Sequence, residues 1–122
     1  MPLASLLLTV LVALLHVYFL VLEMFLWATP FGQKTFGRSL EEQTSTRVLA
    51  ANQGLYNGFL AAGLAWSLFA GDALGFHLRL FFLACVVVAG VFGAATASRK
   101  ILYVQALPAA GALLVTLLAR CS

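Results

Sequence analysis

The chain has 122 residues, of which 63% are hydrophobic and 9% charged, and its mean hydropathy is +1.04. A soluble domain carries about a quarter charged residues, so this composition excludes a soluble enzyme. The net charge of +3 does not indicate a nucleic-acid surface, because the Lys and Arg residues cluster at the ends of apolar segments, where they set membrane topology. The sequence therefore predicts an integral membrane protein in contact with membrane lipids.

Four apolar segments follow one another along the chain. A helix needs about 20 predominantly apolar residues to cross the hydrocarbon of a bilayer, and we predict spans at 3–27, 48–70, 76–97 and 101–119. The predicted fold is all-α: a polytopic membrane protein built as an antiparallel bundle of four transmembrane helices. The whole chain, residues 1–122, is expected to form one domain.

Helix-ending and helix-starting signals separate these spans. Pro30 disfavours helix at Thr29, which ends the first span. Ser39 and Glu42 have the spacing of a capping box, so we expect a helix to begin near Leu40 and to run on into the second span. Pro108 predicts a kink in the fourth span.

The basic residues indicate the orientation. Five lie in the first and third connections, namely Lys34, Arg38, Arg47, Arg99 and Lys100. The opposite side has only Arg79 and Arg120, and Arg79 is expected to snorkel into a solvated rim with Asp72 and His77. The positive-inside rule then makes the first and third connections cytoplasmic. Both termini are expected on the outer side of a bacterial plasma (inner) membrane.

The first span contains one carboxyl side chain, Glu23, and one imidazole, His16. They are seven residues apart and therefore lie on one face of a helix. A carboxylate inside hydrocarbon costs several kcal/mol unless it is neutralised or paired. Glu23 is thus the residue whose surroundings most need an explanation.

A depth comparison gives Glu23 polar neighbours. At 1.5 Å per residue, Asn52 and Gln53 of the second span lie at about the depth of Glu23, and Asn57 lies between Glu23 and His16. We predict a polar pocket near the cytoplasmic side, with Glu23 and His16 as acid–base candidates. The ligand-binding candidates are Asn52, Gln53, Tyr56, Asn57, Trp27 and Gln105. The alternative is that these polar groups only hydrogen-bond the helices to one another.

Small residues recur every fourth position in the second span, at Gly54, Gly58 and Ala62. Such spacing lets helix backbones approach closely in lipid. Packing within one chain and a homodimer through this face both remain open. The sequence contains no cofactor motif, and we predict no metal site, because no second His or Cys lies at the depth of His16 and Glu23.

Two stretches carry a family resemblance. Residues 16–27, HVYFLVLEMFLW, and residues 51–64, ANQGLYNGFLAAGL, resemble the signatures of small bacterial and fungal membrane proteins in the domain-of-unknown-function family 1304. The resemblance covers nearly the whole chain and implies a four-helix integral membrane protein without implying an activity. Its motif positions here are His16, Glu23, Asn52, Gln53, Tyr56, Asn57 and Gly58.

Three functions are compatible with this pattern. The first is a pocket for a small lipophilic molecule, which Glu23 and His16 bind and either isomerise or exchange protons with. The second is a dimeric, proton-coupled exporter of small molecules with Glu23 as the coupling carboxylate. The third is a non-catalytic membrane assembly or lipid-binding subunit. We favour the first, and whether a reaction takes place stays open.

Overall fold

The computed structural model describes residues 1–121 of the protein, so Ser122 of the predicted domain lies outside the described residues. The helices are α1 (Leu3–Phe25), α2 (Pro30–Phe36), α3 (Leu40–Ser45), α4 (Arg47–Phe69), α5 (Asp72–Thr96) and α6 (Leu107–Cys121), with a π-helical turn (Leu102–Ala106) just before α6. Residues 1–121 contain no β-strand, which confirms the all-α prediction.

Within the described residues 1–121, three segments are long and apolar enough to cross a membrane: Leu3–Phe25, Asp72–Thr96 and Leu102–Arg120. This confirms the membrane character that the composition predicts. Helix α4 has the length of a span, at 23 residues, but it is not among the three. The physical reason is its amides, since Asn52, Gln53 and Asn57 all lie within it. A fourth crossing therefore stays a prediction.

The chain divides into two compact units. The first unit contains Met1–Leu15 and the chain from Leu60 onward, and the second is His16–Phe59. The core of the first unit consists of buried aliphatic side chains, namely Val12, Leu64, Leu83, Val86, Ala109 and Ala112.

Close backbone contacts join α5 to the last part of the chain within the first unit. A Cβ on Gly90 would lie only 2.6 Å from the backbone nitrogen of Ala106, and one on Gly93 would lie 3.0 Å from Cγ2 of Ile101. The absence of a side chain on Gly90 thus lets the two backbones pack directly, as small residues do in membrane bundles. A buried hydrogen bond of 2.7 Å also joins the hydroxyls of Ser5 and Thr116.

A π-helical turn at Leu102–Ala106 precedes Pro108. The Leu107 N–H donates to the carbonyl of Leu102, five residues earlier. Proline has no N–H and crowds the preceding turn, so the backbone before Pro108 changes its bonding register. A π-helical turn is one of the usual causes of helix bending, and the kink predicted for this span stays a prediction.

Two short helices form the connection between α1 and α4. Helix α2 begins with Pro30, and the Thr29 hydroxyl accepts a hydrogen bond from the Gly32 N–H at 3.3 Å. Sequence reasoning identified the end of the first span here but not α2, because a seven-residue helix gives little periodic signal. Gly37, with φ of 62°, ends α2 in the left-handed conformation that glycine adopts without strain.

The predicted capping box is confirmed at the start of α3. The Ser39 hydroxyl accepts from the Glu42 N–H at 3.2 Å, and the Glu42 carboxylate accepts from the Ser39 N–H at 3.1 Å. The backbone bond, followed by the bond from the Ser39 hydroxyl, holds the pKa of Glu42 below its usual range. The helix does not run unbroken into the next span, because Thr46 separates α3 from α4.

Candidate functional site

The second unit brings Glu23 and Asn57 together. The Asn57 side-chain amide donates a hydrogen bond to the Glu23 carboxylate at 2.5 Å, across 34 residues of sequence. Both side chains are half-buried. The depth comparison predicts that these two residues lie at similar depth, and the structure shows that their side chains are in contact.

Two glycines on α4 allow α1 and α4 to come close enough for Glu23 and Asn57 to form their hydrogen bond. A Cβ on Gly54 would lie 2.6 Å from Cγ of Met24 and 3.2 Å from Cβ of Glu23, and one on Gly58 would lie 2.6 Å from Cδ1 of Leu20. Both glycines therefore pack against α1 of the same chain, as small residues at four-residue spacing can do. A homodimer through this face stays a prediction, with Ala62 as its exposed member.

Trp27 anchors the region just after α1. Its indole is 8% exposed, donates to the Thr46 hydroxyl at 3.0 Å and packs against the ring of Phe36. Gln43 is completely buried and donates to the Trp27 carbonyl at 2.8 Å. Because buried polar groups must find partners, these bonds fix the end of α1 against the connection. All of these contacts are within the protein. That Trp27 also binds a ligand stays a prediction.

His16 is completely buried and packs edge-on against Phe19, with ring centroids 5.2 Å apart. By helix rise it lies about 10 Å from Glu23 along α1, so direct proton exchange between the two would need an intervening group. The predicted acid–base role of His16 stays a prediction.

The remaining candidates on α4 are exposed. Asn52, Gln53 and Tyr56 all lie on the surface, and the Asn52 amide donates to the Val48 carbonyl of its own helix at 3.1 Å. Of the amides predicted around Glu23, Asn57 makes the direct hydrogen bond. Gln105 is half-buried in the π-helical turn, which belongs to the first unit, and its place in the site stays a prediction.

The chemistry of the pair follows from its composition. A carboxylate that receives one bond from a neutral amide keeps further acceptor positions. It can therefore take up a proton or receive a hydrogen bond from a ligand. Residues 1–121 contain no group of three or more His, Cys, Asp or Glu side chains placed to hold a metal ion.

Sequence reasoning did not predict the burial of several polar residues, among them Gln43 and Arg79. Gln43 lies in a polar stretch, where composition predicts exposure, and Arg79 lies near a span end, where snorkelling is the usual behaviour. The capping box predicts where α3 begins. Only the packing of the connection between α1 and α4 shows which face of α3 is buried.

The apolar helices define a helical membrane protein, in which Glu23 of α1 is hydrogen-bonded to Asn57 of α4. The family model "Protein of unknown function (DUF1304)" matches residues 10–117, and the chain belongs to this family. This confirms the resemblance carried by the two motifs. The chain is 32% identical over 107 residues to the uncharacterized protein YpaA of Lactococcus lactis subsp. lactis (strain IL1403), covering 86% of this chain and 89% of that protein. No solved structure matches the chain.

Proposed function

We propose that the protein binds a small lipophilic molecule beside the Glu23–Asn57 pair. The observation that carries this proposal is a carboxylate inside a membrane-spanning helix whose hydrogen-bond partner is a neutral amide. An Arg or Lys partner would complete a structural ion pair. An amide instead supplies no charge to balance an ionised Glu23, and such intramembrane groups mark binding or proton-transfer sites.

Helix α4, which carries Asn57, has exposed side chains that suit an amphipathic ligand. Tyr56 and Phe59 are exposed on α4, with ring centroids 6.3 Å apart. Asn52 and Gln53 are exposed one turn earlier. Aromatic faces with a few polar groups among them are typical of small-molecule sites. In this proposal the rings contact the apolar body of the ligand, and the amides orient its polar group.

Glu23 would supply the specific interaction. It accepts a hydrogen bond from the ligand through the lone pairs that Asn57 leaves unused, and it exchanges a proton with the ligand if the bound group is acidic or basic. His16, on the same helix, is the proposed second proton carrier. No cofactor is needed for proton transfer.

We expect Glu23→Gln to reduce the amount of copurified lipophile. The test is mass spectrometry of small molecules extracted from protein purified in mild detergent. A lost hydrogen bond to a charged group lowers ligand affinity by about tenfold or more. The matched control is Glu41→Gln, on the exposed face of α3, which should retain the ligand like the parent protein.

Equal ligand content in the Glu23→Gln and Glu41→Gln proteins would contradict the proposal, as would a parent protein that carries no lipophile. If Glu23→Gln fails to fold, Tyr56→Leu provides the test instead. Tyr56 is 54% exposed, so its replacement removes a proposed ligand contact without opening a core cavity.

We further propose that α4 crosses the membrane, which gives four spans in an antiparallel bundle with both termini outside. Its 23-residue length supports this, and the hydrogen bond from Asn57 to Glu23 of α1 would offset part of the cost of its amides in lipid. We expect Arg38→Cys and Ala73→Cys, each in a background without native cysteines, to react with a membrane-impermeant maleimide from opposite sides.

The labelling is compared in intact cells and in inverted vesicles. Ala73→Cys should react in cells, and Arg38→Cys should react only in inverted vesicles. Both positions are exposed on the protein, so access is decided by the membrane. Labelling of both from one side would show that α4 does not cross.

A further inference from the structure

A separate polar site lies in the first unit, in a cleft of about 260 Å³. It is formed by the start of α1, the first two turns of α5 and the last turns of α6. Its charged and hydroxyl-bearing lining residues are Ser5, Asp72, Arg79, Thr116 and Arg120. These helices include the three segments able to cross a membrane, and the cleft lies at their ends.

Arg79 is the unusual residue of this cleft. It is only 7% exposed, although snorkelling predicts that its head group should reach water. Its Nη1 donates to the Ser67 carbonyl at 3.0 Å, and its Nε has no hydrogen-bond partner. A neutral carbonyl satisfies one donor without balancing the charge, and the charge of Asp72 in the same cleft acts on the guanidinium as well. A buried guanidinium with an unused donor therefore favours an anionic partner.

A second guanidinium lines the same cleft. Arg120 lies over the ring of Phe76, 4.5 Å from its centroid, and this stacking holds the cation in place. The paired hydroxyls of Ser5 and Thr116 lie beside it and supply further hydrogen-bonding groups.

The charge balance of the cleft favours an anion. Two Arg residues and one Asp among the lining side chains leave one net positive charge. The N-terminus of α5, where Gly71 makes no side-chain cap and Asp72 lies in the first turn, also borders the cleft. Arginine is also the side chain whose planar fork best matches the oxygens of a phosphate.

We propose that this cleft binds a phosphate group. Its volume is below the roughly 300–1,000 Å³ of sites for drug-sized ligands, which suits a small anion or a single head group. The phosphate belongs either to an anionic phospholipid or to free inorganic phosphate, and both would meet the same two guanidinium groups.

The test measures thermal stabilisation of the full-length protein in maltoside micelles, which contain no phosphate. One arm adds inorganic phosphate and the other adds phosphatidylglycerol, each at matched ionic strength. Stabilisation by inorganic phosphate identifies the free ion as the source. Stabilisation by phosphatidylglycerol alone identifies a lipid head group. If neither ligand stabilises the parent protein, the proposal is wrong.

Three arginine variants locate the binding. Arg79→Gln and Arg120→Gln should each raise the apparent dissociation constant by about tenfold or more, since each removes charge-assisted hydrogen bonds. Arg99→Gln is the matched control, because Arg99 is exposed in the connection after α5, outside the cleft. Arg120 is exposed, so its variant keeps the test valid if Arg79→Gln does not fold. Equal affinities for all three variants would overturn the assignment.

Discussion

Replacing Gly32 with alanine should destabilise the protein by about 3 kcal/mol, the upper range for overpacking. A Cβ at this position would lie 2.2 Å from the Trp27 carbonyl oxygen and 2.3 Å from that of Leu26. Both contacts are with backbone atoms, which cannot move aside as a side-chain tip can. The end of α1 would have to shift away from α2, and the Gln43 bond to the Trp27 carbonyl would be disturbed with it.

The measurement is the thermal unfolding midpoint in detergent, followed by tryptophan fluorescence. A loss of this size lowers the midpoint by roughly 10 °C in a chain of this length. The control is Gly111→Ala, where a new Cβ would meet nothing within 4 Å. Alanine is a better helix former than glycine by about 1 kcal/mol, so this control should be unchanged or slightly stabilised. Similar midpoints for the two variants would show that the close approach at Gly32 is absent.

Replacing Gly90 with alanine should cost about 2–3 kcal/mol. The new Cβ would lie 2.6 Å from the backbone nitrogen of Ala106 and 2.8 Å from its Cα. Helix α5 and the π-helical turn would have to separate, and the contacts that close the core beside Ala109 would weaken.

Gly93→Ala provides a graded comparison on the same helix. There the nearest atom is Cγ2 of Ile101 at 3.0 Å, and a side chain can rotate away. We expect the unfolding midpoint of Gly93→Ala to lie between those of Gly90→Ala and the parent protein. Hydrogen exchange of the amides at 102–106 should quicken in Gly90→Ala, because the turn loses its packing partner. Unchanged exchange there would contradict the prediction.

Part of the candidate site was predictable from the sequence. Glu23 was identified by its cost in an apolar helix, and helix rise was enough to match its depth to that of Asn57. The rise per residue gives the depth of a side chain along a helix, but it does not tell which side of the helix faces its neighbour. For this reason the sequence treated Asn52, Gln53 and Asn57 as near equals, whereas the structure selects Asn57 for the hydrogen bond and directs Asn52 to its own backbone.

The cleft that we propose to bind phosphate could not be predicted from the sequence. Ser5 and Thr116 are 111 residues apart, and no local pattern pairs two hydroxyls over that distance. The burial of Arg79 depends on the Ser67 carbonyl and on α6, which closes the cleft through Arg120. The sequence signal for Arg79 was only its place in an apolar segment, which snorkelling explains equally well.

The sequence by itself determined the membrane class, three of the four predicted spans as strongly apolar helices, the capping box at Ser39 and the family. These properties depend on composition and on residues a few positions apart, which a local pattern reports directly. The tertiary structure alone decided which face of each helix is buried, and hence the Glu23–Asn57 pair, the glycine contacts at Gly32 and Gly90, and the burial of Arg79. Those depend on how helices distant in sequence rotate and pack against one another, and the polar partner of a buried charge is fixed only at that level.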